Sequence, residues 1–581
     1  MRKKYDSKGG KRRSMKKKVS ILLAFGMAVG LLGCGKGGSS SYDADNFMTA
    51  EEAEAAGNPY QIVKNKITLK IFVPRGASNP EYSEMRMFQV LSELTNLDFE
   101  FIEAPTDQYE TLRSVAWEDK NNIPDLFLYN NPISEVVTFS ENGILTPFND
   151  PEYSKGDLKI GSLIDNYMPN YKALVENNFG IKGVNASDVL TMEDGLMYST
   201  ASVNDVPRDL TFKYYVNQKW IDNINSNYIT EEDKKLPNAA DIKTIDEYLT
   251  VLRAFKEYDA NLNGDANDEV PVTAESMYYI RNLILSSYGY VSDWIEINND
   301  ESSFVCVPST EAYKKYLETA SMMYQEGLID NSTFSNNFTM LANKGFEDRL
   351  GSFSCSAAYF VVGDVLDADY VTVGPFTSDY YTGEPLAYSL ETINATGAII
   401  PSGTPYVREI ARLLDVMYSE LGTQLQAFGE EGTDWEWTDD TKTEWKKLVP
   451  EGSSESDTEL KRASLTPNYG LGVGPYISFD FIGKEVEGYT SYLNEISARY
   501  APYLKEPIPA YIHLTEKEYQ AESLHGTTLR NYIEESEFQF ITGVMKVNDD
   551  WEKYLSKLES YKYKEIEKIY NDALARYKEG K

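Results

Sequence analysis

Ile67-Thr68-Leu69-Lys70-Ile71-Phe72-Val73, closed by Pro74, opens the series of segments that decides the fold. The run is β-branched and alternating, which predicts a strand. Met85, Phe88, Leu91 and Leu94 follow at helical spacing. A second alternating strand runs from Leu97 to Ile102, residues 108–118 read as helix, and Pro124-Asp125-Leu126-Phe127-Leu128-Tyr129 reads as a buried strand. Strand, helix, strand, helix, strand is a βαβ series and implies a mostly parallel sheet. Such sheets place ligands at the carboxyl ends of their strands, and Tyr129 falls at such an end.

A second α/β region begins near residue 210 with the strand Leu210-Thr211-Phe212-Lys213-Tyr214-Tyr215-Val216. Thr244 and Glu247 form a capping box for a helix over 244–258, because each side chain can satisfy the other's backbone N–H. Ile245, Tyr248, Leu249, Leu252 and Phe255 line one face of it. Further helices are expected over 310–326 and 406–428, from Asp549, and through Ile566, Ile569, Ala573 and Tyr577.

The chain of 581 residues is long enough for two or more lobes, and 42% hydrophobic with 13% aromatic residues is the composition of a folded protein. Its 56 Lys and Arg face 91 Asp and Glu, a net charge of −35. That balance argues against nucleic acid as a partner and against electrostatic adhesion to anionic lipid. Of three cysteines, Cys306 and Cys355 lie in the body, either as one disulfide or as two buried thiols, and no Cys-x-x-Cys spacing occurs. The two histidines, His513 and His525, form no recognisable pair, which disfavours zinc sites and Ser-His-Asp catalysis.

At the N-terminus Lys16-Lys17-Lys18 precedes an apolar run from Val19 to Gly33, too short to span a bilayer comfortably. Leu31-Leu32-Gly33-Cys34 resembles a bacterial lipobox, which implies cleavage before Cys34 and a diacylglyceryl group on its thiol. More than one acyl chain is needed for firm anchoring, and that group supplies it. Translation from Met15 rather than Met1 would give a signal of more usual length.

The segments arrive in a recognisable order. After the 67–74 strand come Gly143-Ile144-Leu145-Thr146-Pro147-Phe148, Glu193-Asp194-Gly195-Leu196-Met197-Tyr198 and Tyr214-Tyr215-Val216-Asn217-Gln218-Lys219-Trp220-Ile221. Then come the Thr-x-x-Glu helix feeding an acidic loop, Tyr324-Gln325-Glu326-Gly327-Leu328-Ile329-Asp330, and Phe540-Ile541-Thr542-Gly543 before Asp550-Trp551. Over about residues 60 to 580 this resembles family 1 of the extracellular solute-binding proteins of ABC transporters. It is most similar to the large lipoproteins of Firmicutes that serve oligosaccharide importers, relatives of the alginate-binding receptors. The resemblance implies an α/β, two-lobed periplasmic-binding-protein-like fold of type II, with a ligand cleft between the lobes and hinge closure on a sugar. The expected division is a signal peptide over 1–33, a lipidated flexible tether over 34–60 and lobe 1 over 61–205 with return segments from about 395–480. Lobe 2 spans 206–390 with return segments from the C-terminal region, and a helical region over 481–581 packs on the lobes. The implied partners are an oligosaccharide, the permease subunits of an ABC importer and the membrane reached through Cys34, with the protein a monomer on the extracellular face.

Residues 259–271 read Asp-Ala-Asn-Leu-Asn-Gly-Asp-Ala-Asn-Asp-Glu-Val-Pro. Asp259, Asn261, Asn263 and Asp265 match the first alternate positions of an EF-hand calcium loop, and Gly264 fits the bend. Position 12 is Val270, so this is not a complete EF-hand. The resembling receptors carry a shortened loop ending in Asp-Glu before an aliphatic residue and proline. This chain has that ending, Asp268-Glu269, with one extra residue ahead of it, so Asn267 either binds directly or through water. Structural Ca2+ is the expected cofactor.

A sugar site needs aromatic platforms and polar groups able to bond hydroxyl pairs. The candidate platforms are Trp294, Trp435 and Trp437, then Tyr129, Tyr198, Tyr214 and Tyr279. The candidate polar groups are Arg281, Asp434 and Glu436. The expectation is a binding protein rather than an enzyme. Its rivals are an exported carbohydrate-active hydrolase with paired carboxylates and a surface adhesin. No nucleophile elbow, P-loop or dinucleotide fingerprint supports an enzyme.

Overall fold

The structure is a computed structural model that describes residues 42–76, 79–120, 122–453, 461, 464–467, 476–486 and 489–580. Cys34 and the export segment lie outside the described residues. From Asp43 onward the chain clusters into one compact unit, in which two α/β bodies are each built on a large apolar core.

The first core surrounds a four-stranded sheet in the order Ala398–Ile399, Leu126–Leu128, Ile67–Arg75, Leu97–Pro105. Ile67–Arg75 runs parallel to Leu97–Pro105 with Ile67 opposite Leu97, and parallel to Leu126–Leu128. The expected βαβ series is therefore present, with helices Arg86–Thr95 and Tyr109–Glu118 as crossovers. Residues 71–74 are buried one after another, as befits a strand covered on both faces. The fourth strand, Ala398–Ile399, is antiparallel and returns from late in the chain.

The second core surrounds an antiparallel sheet with Lys213–Asn217 between Ser352–Cys355 and Tyr370–Val373. Strand 213–217 begins later than the sequence implies, because Pro207–Leu210 forms a helical turn. The helix Ile245–Glu257 carries the expected box: Thr244 Oγ1 accepts from Glu247 N at 3.2 Å, and Glu247 Oε2 accepts from Thr244 N at 3.0 Å. Cys306 is buried and Cys355 half-buried, and both are free thiols, which decides between the two alternatives.

Two expectations need correction, and the helical region expected over 481–581 gains its elements. The helix over 406–428 is two helices, Val407–Met417 and Glu420–Phe428, with Ser419 capping the second. Gly422 permits the tight turn, since a Cβ there would lie 2.2 Å from the Val416 carbonyl oxygen. Residues 43–60, expected as tether, belong to the folded unit. Ala50–Ala55 is a helix with its own Thr49/Glu52 capping box, Phe47 and Met48 are buried, and the Arg412 guanidinium donates to Met48 O at 2.9 Å. Finally, a 26-residue helix, Glu516–Ile541, precedes Val547–Ser560 and Tyr563–Glu579. Its buried Leu529, Ile533, Phe540 and Ile541 join the second core.

Candidate functional site

Three stretches cross between the two cores and are laced together. Ala387–Tyr388 pairs in parallel with Leu504–Lys505. Leu390 N donates to Leu210 O at 2.8 Å, and Ser389 N to Lys505 O at 2.9 Å. Beside these crossings lies a cavity of about 520 Å³, within the range of small-molecule sites.

The cavity draws its walls from both bodies. Asn130, Ser202, Asn204, Asn394 and Thr396 come from the first. Asn130 sits at the carboxyl end of strand Leu126–Leu128, where Tyr129 and Asn130 both hold positive φ, 70° and 51°. Bulky residues adopt that region only when neighbours enforce it; here Tyr129 N donates to Gly397 O at 2.7 Å and Asn131 N to Thr396 O at 3.0 Å. From the second body come Tyr278, Asp293, Trp294 and Arg530. Tyr388 and Glu391 enter from a crossing stretch.

The wall that bears Asp293 and Trp294 is held by buried charge. Arg281, on helix Met277–Ser286, meets Asp293 Oδ2 at 2.8 Å and Glu537 Oε2 at 2.8 Å. Tyr316 OH donates to the other Glu537 oxygen. The fully buried Glu296 accepts from Val291 N and Ser292 N, both at 2.8 Å, and pairs with Lys505 at 2.6 Å. Burial raises the carboxyl pKa of Glu296 and of Glu537, and Lys505 and Arg281 respectively oppose that rise. The Arg530 guanidinium stacks 3.6 Å from the Trp294 ring centroid, so that face of the indole is already covered. Glu391 is open to the water of the cleft but ringed by protein. That enclosure and the nearby Glu506 push its carboxyl up to about 7.

The other candidates separate into groups. Trp294 lines the cavity; Tyr129, Tyr279 and Arg281 neighbour residues that line it, without lining it themselves. Arg281 is committed to Asp293 and Glu537 and is not a free hydroxyl donor. Tyr214 donates through its OH to Tyr279 O at 2.9 Å, and Tyr198 to Asp194 at 2.7 Å. Trp435, Trp437, Asp434 and Glu436 belong to a hairpin elsewhere. Trp435 is fully buried among Trp445, Phe428 and Phe481, which removes it as a platform. Asp434 is spent on Glu430 N and Lys461, Glu436 pairs with Lys446, and Trp437 lines a different hollow beside Asn170 and Lys484. Asp293, Tyr278 and Asn130 each adjoin a residue singled out from the sequence. Glu391 and Arg530 carry no local signal.

The acidic loop follows helix Ile245–Glu257. Asp259 accepts from Asn263 N at 3.1 Å and Gly264 N at 2.9 Å, while Asn261 and Asn263 oxygens accept from Asn263 N and Asp265 N. Gly264 holds φ of 96°, a value open to glycine at little cost. Asp265 accepts from Asn267 N, and Asn263 Nδ2 donates to Asp268. Glu269 Oε1 accepts from Ala260 N at 2.9 Å, whereas Glu269 Oε2 and Asp268 Oδ1 are buried without a partner. Among the described residues no three His, Cys, Asp or Glu side chains gather as a metal shell. Asn261, Asn263 and Asn267 contribute amide oxygens beside the carboxylates of Asp259, Asp265, Asp268 and Glu269.

Two α/β bodies joined by laced crossings, with a polar and aromatic cleft beside them, make the fold of the two-lobed solute-binding proteins. No protein-family model matches the chain. The sequence is homologous to the fructooligosaccharide ABC transporter substrate-binding protein FusA of Streptococcus pneumoniae serotype 4, at 22% identity over 565 residues, 94% of this chain and 95% of that protein. The solved structure of FusA in complex with kestose superposes with a TM-score of 0.70 at 19% identity, covering 89% of this chain and 100% of that one. An EF-hand mutant of FusA in complex with fructo-nystose gives 0.69 at 18%, covering 89% and 100%. An extracellular solute-binding protein of Bifidobacterium longum subsp. infantis gives 0.70 at 17%, covering 89% and 99%. No helix among the described residues is long and apolar enough to cross a membrane.

Proposed function

We propose that this chain is the solute-binding protein of an ABC importer and captures an oligosaccharide in the cleft between its two bodies. The observation that carries the reading is the cleft itself. Aromatic rings of Tyr278 and Tyr388 stand beside amide and carboxylate groups of Asn130, Asn204, Asp293 and Glu391, with the largely buried Trp294 completing the wall, the mixture that sugar C–H faces and hydroxyl edges require. Homology to FusA, a fructooligosaccharide-binding protein, supports the same conclusion. Capture without turnover follows from that role: the protein binds, closes about its crossings and hands the sugar to the permease. It works as a monomer held on the outer face of the cell membrane by a diacylglyceryl group on Cys34.

Calcium in the 259–269 loop belongs to this reading. Asp259, Asn261, Asn263, Asp265, Asp268 and Glu269 would hold it, with Asn267 direct or through water. The buried unpartnered oxygens of Asp268 and Glu269 favour a cation, since such atoms are costly to leave unsatisfied. The existence of an EF-hand mutant of FusA is in keeping with it. The ion would tie the helix end to the following stretch, whose Val270 N donates to Arg349 O.

A thermal-shift screen against kestose, nystose and other oligosaccharides, with and without chelator, tests both parts. A ligand of the folded state raises the melting temperature by mass action. The reading fails if no sugar shifts melting, and the calcium assignment fails if chelator leaves calcium-loaded protein unchanged.

A further inference from the structure

The cleft has a marked deficit of available positive charge. Among the described residues that line it, Arg530 is the one cation, and it stacks on Trp294 with Glu522 at 3.5 Å from its Nη2. The cations immediately behind the walls are also engaged: Arg208 with Asp209 at 3.2 Å, Lys505 with Glu296, and Arg281 shared between Asp293 and Glu537. Glu391, in contrast, faces the cleft with Glu506 behind it, and its remaining neighbours are Asn394, Tyr388 and Tyr519, with His513 lining the adjoining chamber. An entering carboxylate would lose water and meet carboxylates in return, with no free guanidinium or ammonium to receive it. Hydroxyls, by contrast, find acceptors in Asp293 and Glu391 and donors in Asn130 and Asn204.

We propose that the cleft admits uncharged oligosaccharides and excludes those that carry uronic or sialic acid, and that Glu391 is a residue that sets this preference. The proposal rests on the reading of the cleft as an oligosaccharide site and narrows its substrate class. Like charges brought together in a partly dry cleft repel far more than in bulk water. The Glu391 carboxyl gains a proton as pH falls through about 7, whereas a uronic acid stays ionised. Discrimination therefore weakens on acidification.

Calorimetry on the full chain decides it. The neutral probes are kestose, nystose, maltotriose, xylotriose and lacto-N-tetraose, and the acidic probes are trigalacturonate, trimannuronate and sialyllactose. In the wild type at about pH 8 the best neutral probe should bind at least about tenfold more tightly than any acidic one, a gap of one decade in Kd. The ratio should narrow at about pH 6. Glu391→Gln should narrow it at the higher pH and abolish its pH dependence, and Glu391→Lys should narrow it by a further decade or more. Because the readout is the acidic-to-neutral ratio, a general loss of affinity in a variant leaves it legible. An acidic probe that binds the wild type as tightly as the best neutral one overturns the proposal, as does a ratio that neither substitution moves. If no probe of either kind binds, the reading of the cleft fails and takes this proposal with it.

Discussion

Replacing Arg281 by methionine removes a cation that two carboxylates share and leaves the packing volume nearly intact. Arg281 and Glu537 are 8% and 7% exposed in their side chains, and their contact is 2.8 Å. Deleting one partner of such a pair costs about 3–5 kcal/mol, because the orphaned charge remains buried. At roughly 1 °C per kcal/mol for one compact unit of this length, melting should fall by about 3–5 °C. The double variant Arg281→Met with Glu537→Gln removes the orphan as well, while Tyr316 can still donate to the amide oxygen; it should recover more than half of the loss. Acid should also rescue the single variant. Burial already raises the Glu537 pKa, with Arg281 opposing; without the arginine the folded-state value rises further above the unfolded one. The neutral form is then the stable one, so the penalty is greatest at high pH and shrinks as pH falls through the raised value. Urea unfolding of the two variants from about pH 5 to about pH 8 is the assay. A single variant as stable as the wild type, or a double variant that loses the sum of two independent costs, would refute the buried-charge account of this wall.

Trp294→Ala should weaken oligosaccharide binding and also destabilise, because the ring is buried in the second core and carries the Arg530 guanidinium. Trp435→Ala should destabilise by about 3–5 kcal/mol through an unfilled core cavity and leave the affinity of the folded protein unchanged, a difference that calorimetry reads. Glu391→Gln should flatten the decline of wild-type stability as pH rises through about 7, because a carboxyl whose folded pKa is raised stabilises only while protonated. Equal pH profiles for the two proteins would contradict the shift. Cys34→Ser should abolish labelling by fatty acid and release the protein from the membrane fraction; continued retention would place the anchor elsewhere.

The parts of the fold that local physics dictates were legible. Alternation in Ile67–Val73, helical spacing from Met85 and the Thr244/Glu247 box each rest on contacts within a few residues. Within the helical region expected over 481–581, the bounds of helix Glu516–Ile541 have no periodic signal because it packs different faces along its length: its Leu529 and Ile533 meet the second core, while Tyr519 touches both. No single apolar stripe results. Residues 43–60 read as tether because Ala- and Glu-rich sequence hides two anchors, Phe47 beneath Arg408 and Met48 beneath Arg412. At the cleft, Trp294 could be named from its type, whereas Arg530 reaches it from more than two hundred residues away, and only the tertiary fold reveals that pairing. Trp435 and Trp437 drew attention for the same chemical reason as Trp294, but burial assigns Trp435 to a core.

Calorimetric titration of the purified chain with neutral oligosaccharides, followed by chromatography of the recovered sugar, tests the central claim most directly. The account predicts saturable binding at one site and quantitative return of intact sugar. Absence of binding across the whole set, or recovery of cleaved products, would contradict it.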